Sequence, residues 1–284
     1  MITPLPELVG ASELSEEELA PLPPGPSFLA DLTIDYGPSP FVGEFLLRAD
    51  ATVRSIGISL ELAPLSEIAV HNARVPARDW GPFSPILDTR VVKVPEGMGY
   101  CLLGRTRTKR VVVAQAGRIF DTANRSLQDM ADDLSLYYGS EPFPGGEQPR
   151  FTLEDCPAAR AIRGRFLYSG ALWVHPEYRK LGLSALLPRI SRVYALGTRN
   201  TQYTVTFVSD SIKQSKLMAQ YGYPGSEGVY KIFYGGRHTY TGSLSYLTTS
   251  QMLDETRAFE SGALAQIDRR IADRSRENQA APVA

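Results

Sequence analysis

The sequence predicts an α/β (α+β) fold, and three stretches carry that expectation. Phe166–Val174 is apolar on both sides of a strand: period-two alternation puts Phe166, Tyr168, Leu172 and Val174 on one face and Leu167, Ala171 and Trp173 on the other. A strand with two apolar faces belongs inside a sheet that is covered on both sides. Leu183, Leu186, Leu187, Ile190, Val193 and Tyr194 then recur at helical spacing, with Gly197 as a stop. Beyond them Tyr203–Val208 alternates as a second strand, Tyr203, Val205 and Phe207 against Thr204, Thr206 and Val208.

The other elements follow in order. Residues 1–27 are rich in Pro and Glu and are expected as a flexible arm with one short helix at Ser15–Leu19. Phe28–Val53 mixes apolar clusters with Gly37, Pro38 and Pro40 and has no clear period. Ser55–Leu62 alternates through Ile56, Ile58, Leu60 and Leu62 as a strand, and Pro64–Asn72 fits a short helix with Leu65, Ile68 and Ala69 on one side. Arg78–Pro85 is a loop, and Val91–Val94 a short strand. Gly99–Leu103 and Arg110–Gln115 form a hairpin turning through Thr106–Lys109, with Val111 and Val113 on one face and Val112 and Ala114 on the other. The basic residues at its tip, Arg105, Arg107, Lys109 and Arg110, suit either a solvated turn or contact with an anionic substrate.

Ser126–Tyr138 is helical, opened by a Ser126/Asp129 capping pair, and Gly139–Arg150 is a Pro/Gly loop. Pro176 ends the central strand because it lacks an N–H for the ladder. Pro188 falls inside the following helix, where a kink or a short first segment is expected. Ser211–Tyr221 forms a helix ended by Gly222, and Val229–Tyr234 with Ser243–Thr248 a last hairpin. Residues 28–249 thus make the main domain, and 250–284 a charged C-terminal helix and tail. Leu253, Phe259, Leu264, Ile267 and Ile271 lie near one side of that helix, which suits docking on the core or on a second subunit as a homodimer.

Composition is that of an ordinary globular chain: 284 residues, 43% hydrophobic, 21% charged, net charge −1. The near-zero charge argues against a general binder of nucleic acid or of anionic membranes. Two cysteines, Cys101 and Cys156, make no disulfide framework and suit a reducing, cytoplasmic setting, and no secretory leader or membrane span is expected. The three histidines, His71, His175 and His238, form no metal-ligand motif, so no metal is expected. There is no nucleophile elbow and no nucleotide-phosphate loop of the G-x-x-x-x-G-K-[ST] kind.

Between the central strand and its helix stands Arg179-Lys180-Leu181-Gly182-Leu183-Ser184. A helix start has backbone N–H groups without intrahelical partners and the positive end of the macrodipole. Gly182 lets an anion approach those groups, and Arg179 and Lys180 add positive charge, a combination that suits a pyrophosphate. Together with Val174-His175-Pro176-Glu177-Tyr178-Arg179, this stretch resembles the acetyl-coenzyme-A-binding motif of the GCN5-related N-acetyltransferases, V-x-P-x-[YF]-[RQ] followed by [RQ]-x-x-G-x-[GA]. Ser184 stands where Gly or Ala is usual, and the similarity covers about Arg163–Ile232.

The resemblance implies a mixed, mostly antiparallel sheet splayed between Phe166–Val174 and Tyr203–Val208, with helices on both faces. It implies acetyl-CoA, or another acyl-CoA, as co-substrate, its pantetheine arm pairing with backbone groups of Leu172, Trp173 and Val174 as an added strand. Gly170 would mark a bulge that opens the split. The diphosphate would sit on Arg179, Lys180, Leu181, Gly182, Leu183 and Ser184. The activity implied is N-acyl transfer to a small amine. The tyrosine that commonly protonates the leaving thiolate falls at Met218 in this chain, and Tyr221, three residues on, is the expected substitute as catalytic donor. No Glu occurs on Phe166–Val174 to serve as base, which leaves Tyr168, His175 and Glu177 as nearby polar groups. A non-catalytic CoA-binding module with the same fold is the alternative. A further one is a relative of the acyl-homoserine-lactone synthases, faintly suggested by Gln115–Thr122 through its R-[LI]-x-x-T pattern.

Overall fold

The computed structural model describes residues 14–23, 27–81, 84–139, 150–215, 217–234 and 237–280. Eight strands form one sheet: β1 (Ser59–Pro64), β2 (Gly99–Arg105), β3 (Val111–Ser126), β4 (Arg150–Glu154), β5 (Arg163–Val174), β6 (Tyr203–Ser209), β7 (Glu227–Tyr234) and β8 (Arg237–Thr248). Their order across the sheet is β1-β2-β3-β5-β6-β8-β7-β4. Every neighbouring pair is antiparallel except β5 and β6, which run parallel and share only the pairs Phe166–Tyr203, Leu167–Thr204 and Tyr168–Val205. Beyond Tyr168 and Val205 the two strands part, so the sheet is the split, mostly antiparallel one that the family resemblance implies.

Helices cover both faces. Ser39–Arg54, Leu183–Arg199 and the C-terminal helix pack one side, around Phe45, Leu46, Leu186, Leu187 and Ile190. The 3₁₀ turn Pro85–Leu87 and the short helices Ser66–Asn72, Leu127–Asp132 and Pro157–Ala161 pack the other, around Leu103, Phe120, Phe166 and Tyr230.

Two bulges set which residues face which side. In β3, Gly104 pairs with Val113 and Arg105 with Val111, so Val112 is extra. Val112 and Val113 therefore enter the same core, while Val111 and Ala114 turn to the other, which replaces the simple alternation expected for this hairpin. In β5, Ala114 pairs with Trp173 and Ala116 with Gly170, so three steps on β5 match two on β3, and Ala171 takes the left-handed φ of 53°. The bulge expected at Gly170 is thus centred one residue on. It flips the face beyond it: Phe166 and Tyr168 share a side with Ala171 and Trp173, not with Leu172 and Val174.

Several elements differ from expectation for identifiable reasons. Ser39–Arg54 is a sixteen-residue helix in a stretch that shows no clear period. Its prolines stand at the N-cap and in the first turn, where a missing N–H costs nothing, and Val42, Phe45, Leu46, Ala49 and Val53 make the buried stripe. Val91–Val94 forms no strand and runs as a turn. Ser126–Tyr138 is two short helices broken at Leu134, whose φ is 65°, although the Ser126/Asp129 capping box is present. Ser211–Tyr221 is likewise split into Asp210–Lys213 and Leu217–Gln220. Arg150–Glu154 begins at the last residue of the loop expected over Gly139–Arg150, and Pro157–Ala161 is a helix in a stretch for which the sequence indicates no element; 140–149 of that loop lie outside the described residues. Leu183–Arg199 runs through Pro188 as one helix and ends at Asn200 rather than Gly197.

Both ends of the described chain are tied down. Ser15 caps the helix Glu16–Leu19 in a capping box with Glu18. Leu14 N–H donates to Glu177 Oε1 at 2.8 Å, Tyr178 Oη donates to the Glu18 carbonyl at 2.9 Å, and Thr108 Oγ1 donates to Glu18 Oε1 at 2.7 Å. The stretch expected as a flexible arm is therefore docked from Leu14 to Leu19, because its helix has partners on the Tyr178 turn and the β2–β3 hairpin tip.

At the other end Thr249–Phe259 continues through the π turn Glu260–Leu264 into Ala265–Ala280. Phe259, Leu264, Ile267 and Ile271 are buried against the chain's own core, so the stripe considered for a homodimer is already covered in cis. Glu255 anchors this helix. Its Oε1 accepts from Arg189 Nε at 3.0 Å and its Oε2 from Arg192 Nη2 at 3.1 Å, while Arg192 is fully buried and stands over the Tyr223 ring. Gly222 closes over this cluster with φ 74°; a Cβ there would meet Glu255 Oε1 at 2.4 Å. Replacing Glu255 with Gln leaves two buried guanidinium groups without a counter-charge. That variant is expected to lose about 3 kcal/mol or more of unfolding free energy in urea titration.

Candidate active site

Where β5 and β6 separate, a cleft of about 550 Å³ opens and passes through the sheet. Pro188, Ile212 and Tyr221 line it on the side of the Leu183–Arg199 helix, and Trp80, Leu87, Tyr137 and Tyr230 on the opposite side. Ser169 to Leu172 supply one lip and Thr206 to Val208 the other. Six tyrosines line the cleft and, among the described residues, no charged side chain does. On the helix side Gln115 Nε2 donates to Ser169 Oγ at 2.9 Å and Gln115 Oε1 is buried without a partner among the described residues. On the opposite side Tyr168 and Tyr230 line the space together with Ser84 and Tyr240, and the Tyr230 and Tyr240 ring centroids lie 5.6 Å apart. Burial, then the charge of neighbouring phenols and of Asp210, keeps Tyr230 neutral, although Asp210 does not itself line the cleft.

Tyr221 lies in this cleft just past Leu217–Gln220, and burial raises its pKa above that of a free phenol. It is therefore protonated at neutral pH and able to give a proton. Tyr223, two residues on, is pushed up to about 12, chiefly by burial.

Of the residues expected to hold a pantetheine arm, Leu172 lines the cleft. The β5 bulge turns Trp173 away from it, to stack on Trp80 with ring centroids 5.2 Å apart. The Val174 carbonyl already accepts from Arg179 Nε at 3.1 Å. At the turn, Arg179 and Lys180 are exposed, whereas Leu181 and Leu183 are buried in the core below the C-terminal helix. The helix that starts at Gly182 has no side-chain cap. Gly182 has φ 84°, and a Cβ on it would meet Ile267 Cγ1 at 2.5 Å, so its missing side chain makes room for the C-terminal helix as well as for the turn. Ser184 Oγ donates to Gln220 Oε1 at 2.6 Å, joining the two helices that flank the mouth of the cleft.

The polar groups near β5 divide in the same way. Tyr168 lines the cleft. His175 caps the turn after β5, its Nδ1 accepting from Glu177 N–H, and Glu177 is engaged by Leu14. Both lie away from the cleft, so neither fits as a base there. The basic hairpin tip also has a place: Arg105, Lys109 and Arg110 line a second cleft of about 390 Å³ with Arg74, His71, His175 and the outer side of Trp173. Arg105 is paired there with Glu61 at 2.6 Å. Cys101 is buried, and its thiol is pushed up to about 12 mainly by burial, which makes it unreactive. Among the described residues no group of His, Cys, Asp and Glu could hold a metal ion, and no helix is long and apolar enough to cross a membrane.

The lining residues least legible in the sequence are Gln115, Trp80, Tyr230 and Tyr240, which reach the cleft from strands and loops far apart in the chain. The sequence signal among them is the polar Gln115 in the apolar first part of β3, Val111–Ala116.

No protein-family model and no curated protein matches the chain. Solved structures similar to it include Arabidopsis thaliana NAA60 in complex with acetyl-CoA, at 12% identity over 68% of this chain and 99% of that one, with a TM-score of 0.40. A Vibrio cholerae SpeG spermidine N-acetyltransferase mutant matches at 11% identity over 69% and 96%, with a TM-score of 0.39. AAC(6')-Ib in complex with ribostamycin and coenzyme A matches at 11% identity over 69% and 95%, also at 0.39. At these values the likeness places no residue of the site.

The second cleft sets a pH response. His71 and His175 both have lowered pKa values, first through burial, then through Arg105 and Arg74 for His71 and Arg110 for His175. A folded-state pKa below the unfolded value means that the unfolded chain takes up these protons first. Stability is therefore full above the ordinary histidine pKa of about 6.5 and declines as pH falls through it toward the depressed values. Thermal melts from about pH 7.5 down to about pH 5.5 should show Tm falling, and a His71→Gln/His175→Gln variant should lose most of that slope.

Proposed function

We propose that the chain is an acyl-CoA-dependent N-acyltransferase, taking acetyl-CoA or another acyl-CoA as co-substrate and a small amine as acceptor. The observation that supports this best is the parting of β5 and β6 over an uncharged cleft that holds Tyr221, beside a helix start with no side-chain cap and two exposed cations. Separated strands leave main-chain groups available for an arm that adds as a strand. The helix start with Arg179 and Lys180 suits the diphosphate.

The chemistry would use few groups. The amine nitrogen attacks the acyl carbonyl, the C–N bond forms and the C–S bond breaks. Tyr221, neutral through burial, gives its proton to the leaving thiolate. No carboxylate or imidazole lines the cleft among the described residues, so the ammonium proton would leave through hydroxyls and water. The same absence disfavours acceptors with several positive charges, which would enter without counter-charges.

Two variants test this reading. Arg179→Glu/Lys180→Glu changes exposed side chains at the turn. It should weaken CoA binding in calorimetric titration by about tenfold or more, most strongly at low salt, with the melting curve little changed; unchanged affinity would remove the turn from the site. Tyr221→Phe should lower the release of free CoA with a panel of amines far more than it lowers CoA affinity. Binding with no turnover by the unmodified protein on any amine would favour the non-catalytic module instead.

A further inference from the structure

We infer that the side of the cleft lined by Trp80, Leu87, Tyr137 and Tyr230 is a chamber for a fatty acyl chain, so that the transferred group is much longer than acetyl. The inference rests on the acyltransferase reading above and concerns the acyl group alone.

Three observations lead to it. The cleft does not stop at the split but crosses the sheet, so whatever is attached to the end of an arm entering beside Tyr221 emerges on the aromatic side. Its volume, about 550 Å³, is that of a pocket for a sizeable ligand rather than a two-carbon group. The two sides of the split differ. The entry side carries Gln115 and Ser169, with the buried Gln115 Oε1 free to accept from an amide N–H. On the far side the indole of Trp80, the rings of Tyr137 and Tyr230 and the aliphatic side chains of Leu87 and Ile232 belong to the apolar core cluster and line the space with carbon. A thioester with a long chain has the same division, a polar arm followed by hydrocarbon.

The other occupant to weigh is an apolar amine acceptor. Its nitrogen would arrive protonated on a side where, among the described residues, no carboxylate or imidazole lines the space, and a desolvated ammonium there is costly. A hydrocarbon chain carries no such penalty and gains with each methylene removed from water.

The test compares CoA, acetyl-CoA and decanoyl-CoA by calorimetric titration, with the decanoyl thioester kept below its micelle concentration. Decanoyl-CoA should bind at least a hundredfold more tightly than acetyl-CoA, since each added methylene that is buried contributes roughly two- to fourfold. An Ile232→Trp variant, at a side chain that lines the cleft and packs with the aromatic-side cluster, fills part of the chamber and should bring the ratio of the two affinities toward one. Equal affinity for the two thioesters in the unmodified protein would overturn the inference while leaving the acyltransferase reading intact. If no CoA species binds, that reading fails, and the chamber is judged alone with S-decanoyl-N-acetylcysteamine, which lacks the nucleotide. Saturable quenching of tryptophan fluorescence by that thioester, lost in Ile232→Trp, supports the chamber, and no saturable quenching refutes it.

Discussion

The short parallel ladder between β5 and β6 is the constraint on which the rest of the structure depends. Only Phe166, Leu167 and Tyr168 keep a β6 partner. Parallel pairing supplies no hairpin to hold two strands together, and here the helix Leu183–Arg199 makes the crossover. At the divergence β5 carries an extra residue, with Ala171 in a conformation that a side-chain-bearing residue seldom adopts. The extra residue increases local twist and turns Trp173 to the side of Trp80. Cleft, aromatic stack and the position of the following turn all follow from that local change.

The sequence was most legible where one rule acted alone. The two central strands, the crossover helix and the capping box at Ser126 follow from period and from short-range polar chemistry, with no need of distant partners. It was least legible where two rules compete. Pro38 and Pro40 resemble loop residues until the helix they open is seen, because proline at a helix start and proline in a loop look alike in one dimension. The bulges in β3 and β5 were invisible as changes of face, since a single extra residue leaves composition unchanged and reverses every later side chain. The site was half legible for the same reason. Tyr221 and the turn at Gly182 lie near the motif in the chain, whereas Trp80, Tyr230 and Tyr240 meet the cleft only through long-range pairing.

Both ends of the chain serve the same region. Glu18 is held between Thr108 on the hairpin tip and the Tyr178 turn, and Ile267 lies against Gly182 at the start of the crossover helix. The connection after β5 is therefore gripped from two sides by segments that are almost the whole chain apart. A turn so held keeps Arg179 and Lys180 facing outward while its leucines stay inside. This also changes the meaning of Gly182, where a larger residue would displace the C-terminal helix as well as crowd an approaching anion, so such a substitution does not separate folding from binding.

The cluster of Arg189, Arg192, Glu255 and Gly222 has a consequence for how this chain can vary over time. The acid cannot be lost while both arginines remain, since two buried guanidinium groups would then stand without a counter-charge, and the glycine has no space to grow. Neutral drift through single steps is therefore blocked at Glu255 and Gly222, so in diverging descendants the acid and the glycine should be inherited or replaced together with their arginines, and the helix after β8 should keep its register for as long as that block survives.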